Sequence, residues 1–433
     1  MSVGLQRLRD DAAALRQGAI DKGEDPSLVD AAIALDVRRR DGLGRADGLR
    51  AERNGISKEV GAAVGGGADP KGEQLAALRA RSTDIGTSIS ALEVELATLE
   101  AELDELMLRI PNPADPDVPV GGEDDSVIVR SWGDPAPHER QDGSVVRPHW
   151  EVGDALGLFA LEAGAKVTGS GFPMYRARGA ALQRALIDFM LGVHVREHGM
   201  TEIWPPALVN ATSARGTGNL PDKEDQMYVI TRDGLYLVPT AEVPVTNIHR
   251  DEIIDAEALP IRYVAYSPCF RREAGAAGKD TRGIVRVHQF DKVEMVCFER
   301  PDDSNATLEW LTARAEVILR RLGLPYRVKL MATGDMGFVQ AKKYDLEVWA
   351  PGVERWLEVS SVSNFRDYQA RRMNIRWRPD KGARAEILHT LNGSGLALAR
   401  TVAALLEVHQ AADGSVAVPD ALQAHMGMAT IEA

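Results

Sequence analysis

The chain has 433 residues, of which 44% are hydrophobic and 27% are charged, and its net charge is −13. This length is sufficient for about two domains with substantial cores, and the composition is ordinary for a soluble protein. The acidic balance argues against a general nucleic-acid coat, although it is compatible with a local basic surface. Cys269 and Cys297 are too few for a disulfide framework or a four-ligand zinc site.

The N-terminal segment is polar and lacks the apolar core of a signal peptide, and no uninterrupted run of about 18 apolar residues occurs. We therefore expect a cytoplasmic protein without a membrane span. The sequence also contains neither GxxxxGKS/T nor GxGxxG after a strand, so it predicts no P-loop and no Rossmann nucleotide site.

The first 110 residues predict a helical arm. Ser27 to about Val64 is compatible with a helix, GGGADP (65–70) interrupts it, and from Lys71 to Ile110 the apolar residues alternate steps of three and four. This pattern is typical of a coiled coil, and the short break implies an antiparallel hairpin. The seam of the second helix comprises Leu75, Leu78, Ser82, Ile85, Ile89, Leu92, Leu96, Leu99, Leu103 and Leu106.

Basic residues gather near the predicted tip of this arm, whereas the base of the second helix is acidic. A basic far end suits the phosphate backbone of a nucleic acid. Charged helix faces are more often simply solvated, so a dimerisation or scaffold coiled coil is the alternative. The candidate contacts at the tip are Arg50, Arg53, Lys58, Lys71, Arg79 and Arg81.

The stretch 111–148 is rich in proline, glycine and aspartate and predicts an extended linker, after which 149–433 forms the globular domain. Tyr175–His198 has the apolar spacing of a helix, and the strand after it runs into two prolines. Residues 216–230 are rich in glycine and charge and predict a mobile loop.

Cys269–Glu294 predicts a strand, a glycine-rich connection over 274–283 and a second strand that extends from Ile284 to Phe298. Alternation assigns Val285, Val287, Val293, Met295 and Cys297 to a core face. The opposite face carries Arg286, His288, Phe290, Lys292 and Glu294. Arginine matches phosphate or carboxylate and an aromatic ring can stack on a base, so nucleotide binding is indicated. A solvated hairpin with surface ion pairs is an equally supported alternative.

Three further segments carry polar residues among apolar ones. A predicted strand ends in Thr240, Ala241 and Glu242, and a carboxylate between apolar stretches needs a partner. A helix over Asp302–Leu322 precedes a hairpin whose second strand, Glu354–Phe365, contains acidic and hydroxyl side chains. Such oxygens suit Mg²⁺, although the pattern alone is weak.

The last segment, His389–Gln410, predicts a strand, a glycine turn and a helix, with Arg400 at the start of the otherwise apolar helix. Asn392 and Ser394 are assigned to the turn.

FRRE, a loop and HQFDKVE together resemble motif 2 of the class II aminoacyl-tRNA synthetases. The helix with its proline-terminated strand resembles motif 1, and the segment with Arg400 resembles motif 3. With the arm, the similarity extends along nearly the whole chain and points to the seryl-tRNA synthetase family. It implies an α+β fold, with a class II antiparallel β-sheet core flanked by helices, an N-terminal antiparallel α-helical coiled-coil arm, and a homodimer.

The resemblance also implies the reaction. ATP would activate L-serine to seryl-adenylate with release of pyrophosphate, and serine would pass to the 3′ end of tRNA(Ser), and also of tRNA(Sec) where the source has one. The arm would grip the long variable arm of the tRNA. The catalytic residues would be Arg271, Glu273 and Arg400.

The resemblance assigns the remaining contacts residue by residue. The ATP contacts would be Arg271, Arg272, Glu273, Val287, Phe290, Glu358, Val359, Ser360, Ser361 and Arg400. The serine contacts would be Thr240, Ala241, Glu242, Arg271, Glu294, Asn392 and Ser394. Mg²⁺ would bind Glu358 and Ser361.

Three positions depart from the family pattern. Gly171 and Lys279 occupy positions where the family often has arginine, and Arg272 occupies one where serine is common. The contacts of the motif 2 loop with the tRNA acceptor end are therefore open. Alternatives to the tRNA ligase are a ligase that charges a carrier protein, an inactive paralogue that acts as a coiled-coil interaction protein, and a class II enzyme specific for threonine or proline.

Overall fold

The computed structural model describes residues 2–274 and 282–432. The chain divides into two compact units, one formed by Met1–Ile20 and Glu24–Pro111 and the other by Asp21–Gly23 and Asn112–Ala433. Among the described residues, no helix has both the length and the hydropathy needed to cross a bilayer. The α-helices are α1 (Leu5–Asp10), α2 (Ala12–Asp21), α3 (Ser27–Gly65), α4 (Glu73–Met107), α5 (His149–Ala155), α6 (Leu161–Val167), α7 (Ala177–Arg196), α8 (Ala211–Thr217), α9 (Glu242–Thr246), α10 (Ser304–Arg321), α11 (Thr333–Met336), α12 (Tyr368–Met373), α13 (Leu398–Val408) and α14 (Asp420–Met426).

The described residues form sixteen strands, eight of which belong to one large sheet. They are β1 (Val127–Trp132), β2 (Thr201–Ile203), β3 (Leu208–Asn210), β4 (Val229–Ile230), β5 (Leu235–Leu237), β6 (Ile253–Asp255), β7 (Ile261–Phe270), β8 (Gln289–Glu299), β9 (Tyr326–Leu330), β10 (Lys342–Ala350), β11 (Arg355–Asn364), β12 (Arg376–Arg378), β13 (Glu386–Ile387), β14 (His389–Ala397), β15 (Val416–Ala417) and β16 (Thr430–Ile431). The large sheet has eight strands in the order β1-β9-β10-β11-β14-β8-β7-β2.

The arm consists of α3 and α4, each with one buried stripe. On α4 the buried residues are Leu75, Ile85, Ile89, Leu92, Leu96, Leu99, Leu103 and Met107. They follow the predicted seam closely, although Met107 takes the last position instead of Leu106. Ala46 packs near Leu92, and Ile56, further along α3, packs near Ile89. The helices therefore run antiparallel, and the predicted coiled-coil hairpin is confirmed.

The large sheet is mixed. All neighbouring strands pair antiparallel except β2 and β7, which run parallel with Thr201 opposite Tyr263. The sheet is therefore antiparallel, as predicted, except for this one parallel pair at its edge. The physical reason is that a long connection, 204–260, joins these two strands, and a parallel pair requires such a crossover instead of a hairpin turn.

Strand β8 divides its side chains between two environments. Val293, Met295 and Cys297 are buried in the main core, which also contains residues of α7, α10 and α13. On the opposite face Val296 and Phe298 pack in a second core with residues of α9 and α12. Val287 is buried in the same main core and Val285 packs against it, so the predicted core face is confirmed. The strand itself begins at Gln289, so the prediction of a strand from Ile284 was five residues too long.

The segment 111–148 is not a free linker. Within it, β1 pairs antiparallel with β9, from Val127 opposite Leu330 to Trp132 opposite Tyr326. The prediction was wrong because the composition of this stretch is loop-like, whereas its hydrogen-bond partner, β9, is distant in sequence and cannot be recognised from local pattern. From Asn112 onward the stretch belongs to the same compact unit as the sheet.

Two assignments around candidate site residues are also corrected. Strand β5 ends at Leu237, so Thr240 lies in a turn and Glu242 begins helix α9. The predicted glycine turn in His389–Gln410 is instead part of the continuous strand β14. Its Gly393 is a packing residue, since a Cβ there would lie 2.9 Å from Val362 on the neighbouring strand. Glycine composition alone cannot distinguish a turn from a close approach of two strands.

Other elements match the sequence closely. The helix predicted over Tyr175–His198 is α7, and the helix predicted over Asp302–Leu322 is α10. The predicted hairpin is formed by β10 and β11, whose register places Asp345 opposite Ser361. The predicted glycine-rich connection falls largely on residues 275–281, which lie outside the described residues, as does Lys279.

The buried seam of the arm predicts a position-dependent loss of stability. Replacing Ile89 by Ala should lower the local unfolding free energy of α4 by about 2–4 kcal/mol, because it removes a buried side chain and leaves a cavity. Val94→Ala on the same helix, where the side chain is 70% exposed, should change it by less than about 0.5 kcal/mol. Amide hydrogen exchange of α4 in the full chain measures both values. Equal effects of the two substitutions would contradict a packed seam.

Candidate active site

A cavity of about 680 Å³ lies over the polar face of the large sheet. Its walls come from β8, β10, β11 and β14, from the segment after β7 and from the start of α13. It contains most of the residues that the sequence assigned to ATP and serine. These are Thr240, Glu242, Arg271, Glu273, Val287, Phe290, Glu294, Glu358, Val359, Ser360, Ser361, Asn392, Ser394 and Arg400.

Two of the assigned residues do not line this cavity. Arg272 is exposed, and its backbone N–H donates to the carbonyl of Gln226. Ala241 is fully buried in the second core, where it packs with residues such as Val245. Residue identity in the motifs could not reveal these orientations, because they depend on the turns after β7 and before α9.

Arg271 and Glu273 enter the cavity from the segment that follows β7. The backbone N–H of Arg271 donates to the carbonyl of His288 at 2.9 Å, which extends the pairing of β7 and β8. Its guanidinium lies 5.2 Å from the centre of the Phe290 ring. The Glu273 carboxylate accepts a hydrogen bond of 2.9 Å from Arg286. A flat, cationic and acidic surface of this kind can take a purine ring and a phosphate side by side.

Arg400 also lines the cavity, and two backbone carbonyls hold its guanidinium. Its Nε donates to Val285 at 3.1 Å and its Nη1 donates to Glu358 at 3.0 Å. The same Nη1 lies 3.6 Å from the Glu358 carboxylate. The guanidinium is therefore already ordered near the start of α13. An anionic ligand can bind it without the loss of conformational entropy that ordering a long side chain would cause.

The inner end of the cavity concentrates acidic side chains. Lys292 Nζ lies 2.5 Å from Glu294, and the Ser394 hydroxyl donates to the same carboxylate at 3.3 Å. Glu242 accepts a hydrogen bond of 2.6 Å from Gln369. Burial, and after it the nearby Glu294, raise the pKa of Glu242 to about 7. This end of the cavity is therefore suited to an ammonium group, which would favour the charged form of both carboxylates.

The middle strands carry the candidate metal ligands. Burial alone would raise the pKa of Glu358, but Lys343 and Arg400 outweigh it and hold that pKa below its ordinary value. Burial and the charge of Glu358 raise the pKa of Asp345 to about 7. Asp345 Oδ1 is buried and has no hydrogen-bond partner among the described residues, and it lies opposite Ser361 in the register.

Glu358, Asp345 and Ser361 could supply some, but not all, of the ligands of a Mg²⁺ ion. Carboxylate and hydroxyl oxygens are ligands that the ion prefers, and it commonly takes its other ligands from water and phosphates. In 2–274 and 282–432 no group of three or more His, Cys, Asp and Glu side chains is placed to hold a metal by itself. The residues present therefore suit an ion that arrives with a phosphate ligand.

Comparison with known proteins identifies the family. The model of the seryl-tRNA synthetase N-terminal domain matches residues 4–114, and that of the tRNA synthetase class II core domain (G, H, P, S and T) matches residues 228–409. Serine–tRNA ligase from Gemmatimonas aurantiaca is 50% identical over 430 residues, which are 99% of each chain. That from Thermomicrobium roseum is 50% identical over 98% of this chain and 93% of its own. The chain belongs to the seryl-tRNA synthetase family.

A solved structure agrees with this assignment. The seryl-tRNA synthetase from Pyrococcus horikoshii, crystallised with ATP, superposes with a TM-score of 0.92 at 38% identity and covers 99% of both chains. The similarity includes the helical arm as well as the sheet. The protein is accordingly an aminoacyl-tRNA synthetase with the function of a serine–tRNA ligase, and its fold is the class II synthetase core with an N-terminal coiled-coil arm.

The departure from the family pattern at Gly171 has a local explanation. Gly171 has a φ of +83°, and a Cβ there would lie 2.3 Å from the ring of His288. Phe172 stacks on that ring at 5.3 Å, and Tyr228 bonds its Nδ1 at 2.7 Å. His288 therefore fills the space that a side chain at 171 would need. It faces these aromatic residues and not the cavity, contrary to its grouping with Phe290 on the nucleotide face.

Sequence reasoning missed several residues that line the cavity. Lys292 was placed on the correct face but received no role, and Lys343 was read only as the start of a strand. Asn219, Lys223 and Gln226 form another wall and belong to the loop predicted as mobile, a property that stays a prediction. The detectable signal was the presence of lysines inside apolar strands, where a charge needs a partner.

The raised pKa of Glu242 predicts an unusual pH dependence of stability. In the folded protein Glu242 keeps its proton up to about pH 7, whereas in the unfolded chain the carboxyl releases its proton near its ordinary pKa of 4.5. The folded state thus binds more protons, and this contribution is lost as pH rises between those values. Glu242→Gln should therefore gain about 1–3 kcal/mol over the parent protein between pH 5 and pH 8.

Denaturant unfolding at several pH values measures this difference, with the exposed substitution Glu162→Gln as the control. A pH-independent difference between Glu242→Gln and the parent protein would contradict the raised pKa.

Proposed function

We propose that this cavity joins L-serine to ATP as seryl-adenylate and that the enzyme then transfers serine to the 3′ end of tRNA(Ser). The observation that carries the proposal is that one cavity combines two guanidinium groups, one of them held by two backbone carbonyls, with an aromatic face and an acidic end. These are the groups needed to hold a nucleotide triphosphate and a small amino acid in contact.

In the first step the serine carboxylate attacks the α-phosphate and pyrophosphate leaves. Arg271 would bridge the carboxylate and the α-phosphate, with Phe290 stacked on the adenine. Glu273 would accept from the adenine amine through the oxygen that Arg286 does not use, while the main chain of Val287 contacts the ring. Arg400 would hold the outer phosphates. The reaction needs positioning and charge neutralisation more than covalent help, and no single general base is assigned.

Serine would occupy the inner, acidic end of the cavity. Glu242 and Glu294 would receive its ammonium group and hydroxyl, with Thr240, Asn392 and Ser394 alongside them. Lys292, paired with Glu294, would neutralise the second carboxylate. A site built to hydrogen-bond a hydroxyl rejects the analogue that lacks it, so alanine should be excluded.

Glu358 and Ser361 would hold Mg²⁺, whose role is to neutralise the β- and γ-phosphates of ATP. The Ser360 hydroxyl donates to the carbonyl of Ser394 at 2.6 Å. Ser360 therefore serves to fix β11 against β14 at the metal site, and its ATP contact would come from the backbone.

The remaining parts of the proposal concern partners and location. The arm would bind tRNA(Ser), and tRNA(Sec) where the source has one, and the enzyme would act as a homodimer. Both cysteines are free and buried, which is compatible with the cytoplasm as its location. The domain division proposed is an arm over 1–110 and a catalytic domain over 149–433, with the connecting segment 111–148 now joined to the catalytic sheet through β1.

The test is amino-acid-dependent ATP–pyrophosphate exchange with serine, threonine, alanine and proline in parallel. Serine alone should support exchange. Arg400→Ala should lower kcat/KM for ATP by about 100-fold or more. The substitution removes a guanidinium group that is already in position to bind the phosphates and does not have to reorganise when ATP binds. Arg384→Ala, at an exposed position, is the control.

The acceptor is tested next. Serine should become attached to tRNA(Ser), whereas charging of a carrier protein instead would support the alternative ligase. Exchange with none of the four amino acids, from folded protein with Mg²⁺, would overturn the adenylation mechanism and favour an interaction protein.

The tip of the arm gives a separate prediction for tRNA. Arg50 and Arg81 are paired within the hairpin, to Glu93 at 2.8 Å and Glu52 at 2.6 Å. The exposed Arg53 and Lys58 are better probes, because their removal leaves those two pairs intact.

The double substitution Arg53→Ala with Lys58→Ala should raise the KM for tRNA about 10-fold or more and reduce its salt dependence, with pyrophosphate exchange unchanged. Arg232→Ala with Lys381→Ala removes the same charge from exposed positions outside the arm and is the matched control. Equal losses in both double variants would indicate a general charge effect and not a contact at the tip.

A further inference from the structure

A buried polar pair outside the cavity connects four segments of the catalytic unit. His149, the first residue of α5, and Glu407, in the last turn of α13, both have side chains with 0% exposure. A carboxylate in such surroundings is stable only if its oxygens receive several hydrogen bonds. Glu407 belongs to the segment that resembles motif 3 and His149 lies outside the three motifs, but neither residue lines the cavity.

The Glu407 carboxylate is fully engaged. Oε1 accepts from the His149 backbone N–H at 2.9 Å and lies 2.8 Å from His149 Nδ1. Oε2 accepts from the backbone N–H groups of Gly352 and Val353 at 2.8 and 3.3 Å. Glu407 thereby fastens the turn between β10 and β11 to the start of α5.

Through its second ring nitrogen, His149 also hydrogen-bonds the backbone of the motif 2 segment. Its Nε2 accepts a hydrogen bond of 3.2 Å from the backbone N–H of Ile284. The proton therefore sits on Nδ1, which donates to Glu407, since Nε2 must be free to accept. The ring also packs directly against Gly283, where a Cβ would lie 2.2 Å from Nε2 and where φ is +71°.

The residues that follow Ile284 form part of the cavity wall. The carbonyl of Val285 accepts from Arg400 Nε, and Arg286 bonds Glu273. Val285, Arg286 and Val287 all line the cavity. Helix α13 thus holds this one segment at two points, directly through Arg400 near its start and through Glu407 and His149 near its end.

We propose that His149 and Glu407 are positioning residues that set the segment 284–287 in the place where ATP contacts it. The inference rests on the proposed function, because it assigns ATP to this wall of the cavity. It predicts a selective effect: loss of the bond to Ile284 should weaken ATP binding and leave the serine end, on the opposite side of Arg271, unaffected.

Two substitutions at one position separate the two bonds. The amide of Asn can replace Nδ1, so His149→Asn keeps a donor for Glu407 but cannot reach Ile284. The longer Gln can replace Nε2, so His149→Gln keeps an acceptor for Ile284. His409→Asn is the matched control, because His409 follows the same helix and its Nε2 bonds the carbonyl of Leu322 at 2.7 Å, away from the cavity.

The first readout is hydrogen exchange of the amides of 284–287 in the protein without substrates. In His149→Asn it should accelerate at least about 10-fold, while His149→Gln and His409→Asn should stay within about threefold of the parent protein. The second readout is pyrophosphate exchange, in which His149→Asn should raise the KM for ATP about 10-fold with the KM for serine unchanged, and His149→Gln should restore it.

The outcomes are distinguishable. Unchanged hydrogen exchange at 284–287 in His149→Asn overturns the inference whatever the activity. Two other results for His149→Asn would overturn the inference by indicating a purely structural role. The first is an equal change in the KM for ATP and the KM for serine. The second is a lowered melting temperature that His409→Asn shares, with the KM for ATP unchanged. If the parent protein fails to catalyse exchange, the proposed function fails, but hydrogen exchange still tests the positioning. Should His149→Asn not fold, Glu407→Gln, which leaves only one acceptor oxygen, replaces it in both measurements.

Discussion

The buried charges on the cavity face of the large sheet are the constraint on which the rest of the structure depends. Lys292 lies 2.5 Å from Glu294 and both side chains are buried, as is Asp345 on β10. Such charges are tolerated in a protein interior only when partners or ligands balance them. The sheet therefore needs a large apolar core on its other face to offset the cost, and α7, α10 and α13 provide it.

Helix α13 serves both the core and the cavity. Its apolar residues, including Val402 and Leu405, are buried in the main core, and its two charged residues face backbone groups of other segments. Arg400 donates hydrogen bonds to backbone carbonyls and Glu407 accepts them from backbone N–H groups. Each charged group is thus bound to backbone atoms that carry the opposite partial charge. This division explains how a strongly apolar helix can also organise the wall at which nucleotide binding is proposed.

Much of the fold could be read from local pattern. The seam of α4, the helices α7 and α10 and the hairpin of β10 and β11 follow from residue periodicity. The assignment of residues to ATP and serine came from the resemblance to class II motifs, and the cavity gathers most of them. Arg272 and Ala241 are exceptions, because a motif gives the identity of a residue but not the direction of its side chain in an irregular turn.

By itself, the sequence determined the arm, the main helices and the membership of a synthetase family, because these depend on periodicity and on motif residues close together in the chain. Only the tertiary structure decided that β1 pairs with β9, that β14 continues through its glycines with a register shift between Ser394 and Leu396, and that His149 reaches Ile284. Each of these pairs residues far apart in sequence. Hydrogen-bond partners and buried charges at such separations are fixed by the packing of whole elements, which local sequence pattern does not encode.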